Sequence, residues 1–175
     1  SSAASDVYKR QIDEARDGHG DKIIVTKYND DSIEVEDFGR GCPVDYNQRE
    51  KKYNWELVYC ELYAGGKYNN NSGDNYEYSL GLNGLGACAT QYSSEFMDVE
   101  VFRDGYKYDL HFEKGRNVGG LKKEETKQKK TGTKTHWRPD LEVFTDIKIE
   151  NEYLEDVLKK QAVVTPTITF ILRIQ

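Results

Sequence analysis

Cysteine is scarce and odd in number in this chain of 175 residues: Cys42, Cys60 and Cys88 stand apart, with no CxxC spacing. That excludes a disulfide framework and a cysteine-built zinc site, and it fits a reduced, cytoplasmic setting. Histidine is as sparse. His19, His111 and His136 are scattered and form no metal-ligand pattern. No apolar run approaches the length of a membrane span, so no membrane partnership is expected. Ser1 to Gln11 lacks the apolar centre of a secretory signal. Positive charge is in deficit too: 25 Lys and Arg face 31 Asp and Glu, for a net charge of −6. Affinity for nucleic acid comes from Lys and Arg that neutralise phosphates, so this chain is not built as a main DNA grip. Membership of an assembly whose other domains hold DNA stays open.

What is present is enough for a core. The hydrophobic fraction is low at 37%, yet 13 Tyr, six Phe and two Trp exclude a disordered chain. The length suits one domain. Lys22 to Tyr28 and Ser32 to Asp37 are β-rich and flank the turn Asn29-Asp-Asp31, which predicts a hairpin. Trp55 to Tyr63 carries apolar residues at helical spacing, and Ala87 to Ser93 is expected to open a helix. Met97 to Arg103 and Tyr106 to Phe112 alternate around Asp104-Gly105, a second hairpin. Lys122 to Lys130 reads as a solvated charged loop. Thr131 to Trp137 is a further strand, Tyr153 to Val164 an amphipathic helix, and Thr167 to Ile174 a last strand. Strands outnumber helices and come as hairpins. The fold class expected is α+β, a two-layer sandwich of a mixed, largely antiparallel sheet with helices on one face.

Several segments could hold a ligand. Asp37-Phe-Gly-Arg-Gly-Cys-Pro43 puts a carboxylate at a strand end beside glycines, where a backbone can approach a ligand closely. By itself it reads first as a turn with an exposed acid. Ala64 to Gly86 is too long for an ordinary connection and is expected to order around a ligand. Within it, Gly81-Leu-Asn-Gly-Leu-Gly86 precedes the helix, so its N–H groups and the helix N-terminus can face an anion. It is neither a dinucleotide fingerprint nor a P-loop. Lys67, in Ala64-Gly-Gly-Lys67, can reach a phosphate or simply sit in solvent. Thr131-Gly-Thr133 opens a strand with hydroxyls that can bind a ligand or cap a turn.

Taken in order, Ile12-Asp-Glu-Ala15, Asp37-x-Gly-Arg-Gly-x-Pro43, Ala64-Gly-Gly-Lys67, Gly81 to Gly86 and Thr131-Gly-Thr133 resemble the ATPase domain of the DNA gyrase B protein and its topoisomerase IV counterpart, in the GHKL ATPase superfamily. Arg103-Asp-Gly105 and Pro139 to Phe144 are similar to that family as well. The resemblance runs from Ile12 to near the C-terminus and implies a partial ATP-binding domain over residues 12–175. It implies that Asp37 binds the adenine amino group, with Thr133 on the same edge and Gly41 in the turn beside it. Glu14 and Arg40 would pair as a pocket wall, with Pro43 packed nearby. Lys67 would reach a phosphate, and Gly81, Leu82, Asn83, Gly84, Leu85, Gly86 and Ala87 would wrap the phosphates as a lid. Asn83 replaces the more usual His and can still donate a hydrogen bond. The cofactors implied for the intact protein are ATP and Mg2+. Its implied partners are DNA through other domains, the topoisomerase A protein and a second copy of the B protein.

The start departs from the family. Its helix carries a Glu that activates water and an Asn that binds magnesium; by count those positions are Asp6 and Arg10. Residues 1–11 read as a leader foreign to the family. No catalytic residue is therefore expected in this chain, and the fragment itself is expected not to hydrolyse ATP. The alternatives are a non-hydrolysing nucleotide-binding fragment, or another GHKL member of the MutL or histidine-kinase type.

Overall fold

A computed structural model describes residues 20–61 and 86–175 of the chain. β1 (Lys22–Lys27) and β2 (Ile33–Asp37) form the first hairpin. Its turn is closed by the Asp30 carboxylate, which accepts the Ser32 N–H at 2.9 Å. Two short strands, β3 (Tyr46–Asn47) and β4 (Lys52–Tyr53), pair and lead into α1 (Asn54–Tyr59). The entry to α1 is tied down by polar groups. Asn54 donates to the Asp45 carboxylate at 3.1 Å and accepts from Asn47 at 3.0 Å, while Glu56 takes the Tyr53 N–H at 3.0 Å.

α2 (Gly86–Tyr92) precedes the long hairpin of β5 (Ser94–Arg103) and β6 (Tyr106–Glu113). Asp104 and Gly105 both have positive φ there, as a two-residue hairpin turn requires. β7 (Arg116–Asn117) and β8 (Lys122–Glu125) share the far side of β6. β9 (Gly132–Pro139), α3 (Asn151–Val164) and β10 (Thr169–Ile174) complete the described chain. The sheet runs β10-β1-β2-β9-β5-β6-β7, with β8 beside β6. Among the described residues the β1–β10 pair alone is parallel and every other pairing is antiparallel; α3 leads from β9 to β10.

Alternation along the central strands separates two faces. Val35, Val99, Leu110, Phe112, Met97 and Trp137 are buried on one face. There Trp55 and Tyr59 of α1 pack on Phe112, and Leu158 of α3 joins the same cluster. The opposite face carries cross-strand charge, with Lys107 and Lys134 both near Glu100. This is the mixed, largely antiparallel α+β sandwich expected from the sequence.

One local reading is corrected. Lys122 to Glu125 is not loop but strand, paired with Tyr106 to Asp109. All four of its side chains are exposed, so no apolar alternation marks it. Its pairing comes from backbone hydrogen bonds to the otherwise open side of β6, and charge on such an edge discourages further strand addition. Lys123 also lies over the Tyr106 ring, 4.1 Å from its centroid.

Candidate functional site

Asp37 ends β2 on the buried face, with only 5% of its surface exposed. One carboxylate oxygen accepts two backbone N–H groups, from Gly39 at 2.9 Å and from Thr133 at 3.3 Å. The first bond turns the chain immediately after the strand. The second crosses to β9 and fixes the carboxylate against the opening of that strand. A carboxylate held by two main-chain donors has its orientation tied to the backbone itself.

Thr133 has a second connection. Its hydroxyl accepts the Cys42 N–H at 2.8 Å, so the loop after Asp37 is anchored to β9 at both ends. Gly41 sits between these anchors at φ +88°, its carbonyl accepting from Arg103 at 2.8 Å. A Cβ on Gly41 would come within 2.8 Å of the Phe102 carbonyl oxygen, so the loop lies against the end of β5 and needs glycine there. Cys42 and Pro43 are buried beyond it. The Tyr59 hydroxyl approaches the Cys42 sulfur at 3.8 Å, which joins α1 to the same loop.

Outside this turn is an open depression of about 370 Å3, lined by Gly20, Phe38, Gly39, Arg40, Arg103 and Thr131 among others. Charges of both signs stand around it, with Asp104 beside Arg103 in its lining. Lys22 lies 4.5 Å from the Phe38 ring centroid, and Lys130 stacks on Phe102 at 4.7 Å while pairing with Glu36 at 2.9 Å. Among the described residues no cluster of His, Cys, Asp and Glu could hold a metal ion.

Of the residues singled out from sequence, Asp37, Arg40, Gly41, Pro43 and Thr133 are brought into this one region. Gly86 and Ala87 open α2. Asp6, Arg10, Glu14, Lys67, Gly81, Leu82, Asn83, Gly84 and Leu85 lie outside the described residues, as does the expectation of ordering over Ala64 to Leu85. Sequence reasoning gave no part to Gly132, to the Cys42 N–H or to Arg103 as a clamp on Gly41. Each stood within a segment already singled out: Gly132 in Thr131-Gly-Thr133, Cys42 in Asp37 to Pro43 and Arg103 in Arg103-Asp-Gly105.

The same fold occurs in solved structures. The topoisomerase IV ATP-binding domain of Francisella tularensis, solved with a small-molecule inhibitor, superposes with a TM-score of 0.81 at 29% identity, over 98% of this chain and 80% of that one. The 43K ATPase domain of Thermus thermophilus gyrase B, in complex with an aminocoumarin, gives 0.82 at 27% identity, over 98% of this chain and 42% of that one. In sequence, the chain is 38% identical over 164 residues to the B protein of DNA topoisomerase 4 from Escherichia coli. It is also 38% identical over 162 residues to the B protein of DNA gyrase from Thermotoga maritima. The chain belongs to the gyrase B and topoisomerase IV B family. These alignments cover 93% and 92% of the chain but only 26% and 25% of the two relatives, so it spans about a quarter of their length. No protein-family model matches it. Within the gyrase B and topoisomerase IV B family, the region held in common is the part called ATP-binding in the Francisella structure. No helix among the described residues is long and apolar enough to cross a membrane.

Proposed function

We propose that the chain is the ATP-binding part of a type II topoisomerase B protein, in which ATP binding and hydrolysis drive passage of DNA strands. The observation that carries this reading is Asp37: a buried carboxylate at a strand end, oriented by two backbone donors, in a chain related to ATP-binding topoisomerase domains. An ionised carboxylate only accepts hydrogen bonds. It suits the exocyclic amino group of adenine and opposes the carbonyl that guanine presents at the same place. Thr133 completes that edge, while Arg40, Gly41 and Pro43 form the adjoining wall. These residues fit the base of ATP. Its phosphates fall to Lys67 and to the lid from Gly81 to Ala87, most of which lies outside the described residues. Among the described residues no group of three or more His, Cys, Asp or Glu side chains stands ready to hold Mg2+.

On this reading residues 12–175 are one partial ATP-binding domain preceded by a leader of residues 1–11. The parent works in the cytoplasm with the topoisomerase A protein and a second copy of the B protein, and its other domains hold the DNA. Calorimetric titration of the chain with ATP tests the proposal. Asp37→Ala removes a charge-assisted hydrogen bond worth about 1.5–3 kcal/mol, so affinity is expected to fall about tenfold or more. Equal affinity of variant and parent would reject the assignment.

A second reading concerns turnover. Arg10 stands at the count where the family's magnesium-binding Asn is expected, and Asp6 at that of its water-activating Glu. A cationic side chain repels Mg2+, which takes oxygen ligands. The chain is therefore proposed to bind ATP without hydrolysing it. Magnesium-dependent phosphate release that survives Asp6→Ala and Arg10→Ala would locate the catalytic groups elsewhere.

A further inference from the structure

β9 presents Thr133, Thr135 and Trp137 in succession on the buried face of the sheet. The first and third have clear occupations: Thr133 bonds Asp37 and Cys42, and Trp137 fills the core. Thr135 lies between them with 1% of its surface exposed, directly opposite Val35 on β2 and Val99 on β5. Its hydroxyl has no hydrogen-bond partner among the described residues. Valine has nearly the same shape and would satisfy the packing between two other valines. A hydroxyl buried here without a partner costs free energy in the unliganded fold. Its position gives it a use. Asp37 lies two residues beyond Val35 on the same face of β2, which makes it the diagonal cross-strand neighbour of Thr135, about 7–8 Å away between backbones. A heterocyclic ring seated against Asp37 and Thr133 extends over that distance.

The structure assigns to Thr135 a specificity-determining part in the nucleotide site: its buried hydroxyl forms a hydrogen bond with the base, directly or through one trapped water, beyond the contact made by Asp37 and Thr133. This rests on the ATP-binding reading above and adds a residue to it. A hydroxyl both donates and accepts, so it can serve a ring nitrogen or a water that satisfies one. Loss of that bond exposes no charge, and the effect on affinity is correspondingly smaller than at Asp37.

Two variants separate the hydroxyl from its packing. Thr135→Val keeps the shape and removes the oxygen; Thr135→Ser keeps the oxygen. In calorimetric titration, Thr135→Val is expected to weaken ATP binding roughly three- to tenfold, the range of a neutral hydrogen bond. Thr135→Ser is expected to stay within about twofold of the parent on the same grounds. The thermal midpoint of unliganded Thr135→Val should equal or exceed that of the parent, because the uncompensated hydroxyl is gone. Unchanged ATP affinity in Thr135→Val would overturn the inference, as would an equal loss in Thr135→Ser. If the parent chain binds ATP and loses it on Asp37→Ala while Thr135→Val binds normally, only the role of Thr135 fails. A parent chain that binds no ATP would overturn both readings.

Discussion

A Cβ on Gly132 would stand 2.1 Å from the carbonyl oxygen of Asp37, closer than any side-chain carbon can approach an oxygen. Gly132 also has φ +140°, a conformation that residues with a side chain rarely adopt. It opens β9 where that strand meets the end of β2, so the close approach is what lets the Thr133 N–H reach the Asp37 carboxylate. Glycine at this place belongs to the construction of the site.

Gly132→Ala is accordingly expected to destabilise the chain by at least about 2 kcal/mol, combining backbone strain with overpacking against main-chain atoms that cannot rotate away. Urea denaturation measures this. A variant with the parent's midpoint and slope would show that the two strand ends can separate at little cost.

The Thr133 hydroxyl offers a sharper test, because it serves the fold as well as the carboxylate's surroundings. Thr133→Val leaves the buried Cys42 N–H without its acceptor. The expected loss is about 1–3 kcal/mol of stability, and Thr133→Ser should recover most of it. Equal denaturation midpoints for the valine and serine variants would mean that the Cys42 N–H finds another partner.

How much of this was legible in the sequence depended on whether burial left an apolar mark. The strands of Lys22–Lys27, Ile33–Asp37, Ser94–Arg103 and Tyr106–Glu113 alternate or carry β-branched runs, and their turns carry Asn, Asp and Gly. All were readable. Lys122–Glu125 has no buried side chain, so its pairing to β6 leaves no pattern to read. The helix expected over Trp55 to Tyr63 reaches its C-cap at Cys60, a single residue with αR backbone but outside the helical run. At the site, Asp37 and Thr133 stood out by residue type and motif. Their bond joins positions 96 residues apart and depends on a backbone N–H, which every non-proline residue carries. Nor does a sequence show that the Thr135 hydroxyl lacks a partner while that of Thr133 has one.

The outer face of the sheet carries a titratable group with a defined direction. His111 lies between Asp98 of β5, at 2.5 Å from one ring nitrogen, and Glu113 of β6, at 3.0 Å from the other. Hydrogen bonds to Glu113 and then to Asp98 raise its pKa above the ordinary histidine value, outweighing desolvation, which acts the other way. A raised histidine pKa means that the folded state holds the proton more tightly. The associated stabilisation is complete below about pH 6.5 and is lost as pH rises through the raised value. Side-chain NMR titration should place His111 above a free histidine, with Asp98→Asn and Glu113→Gln each lowering it. A normal value in the parent would mean that solvent screens both carboxylates.

Two thiols should behave in the opposite sense to reactive cysteines. Burial pushes Cys60 and Cys88 from 9.0 up to about 11; the neighbouring Cys88 thiol adds to the shift at Cys60, and Glu61 adds to that at Cys88. A rise of this size cuts the thiolate fraction at neutral pH about a hundredfold, and alkylation proceeds through the thiolate. Iodoacetamide at mildly alkaline pH is therefore expected to label both residues far more slowly in the folded chain than in urea. The folded-state rate should climb with pH until it levels near 11. The folded protein retains these protons where the unfolded chain releases them, so stability is expected to decline as pH rises from 9 toward 11. Peptide mass spectrometry after timed labelling reads Cys60 and Cys88 separately. Labelling of either at the rate of a free thiol near neutral pH would show that water reaches the contact between α1 and α2.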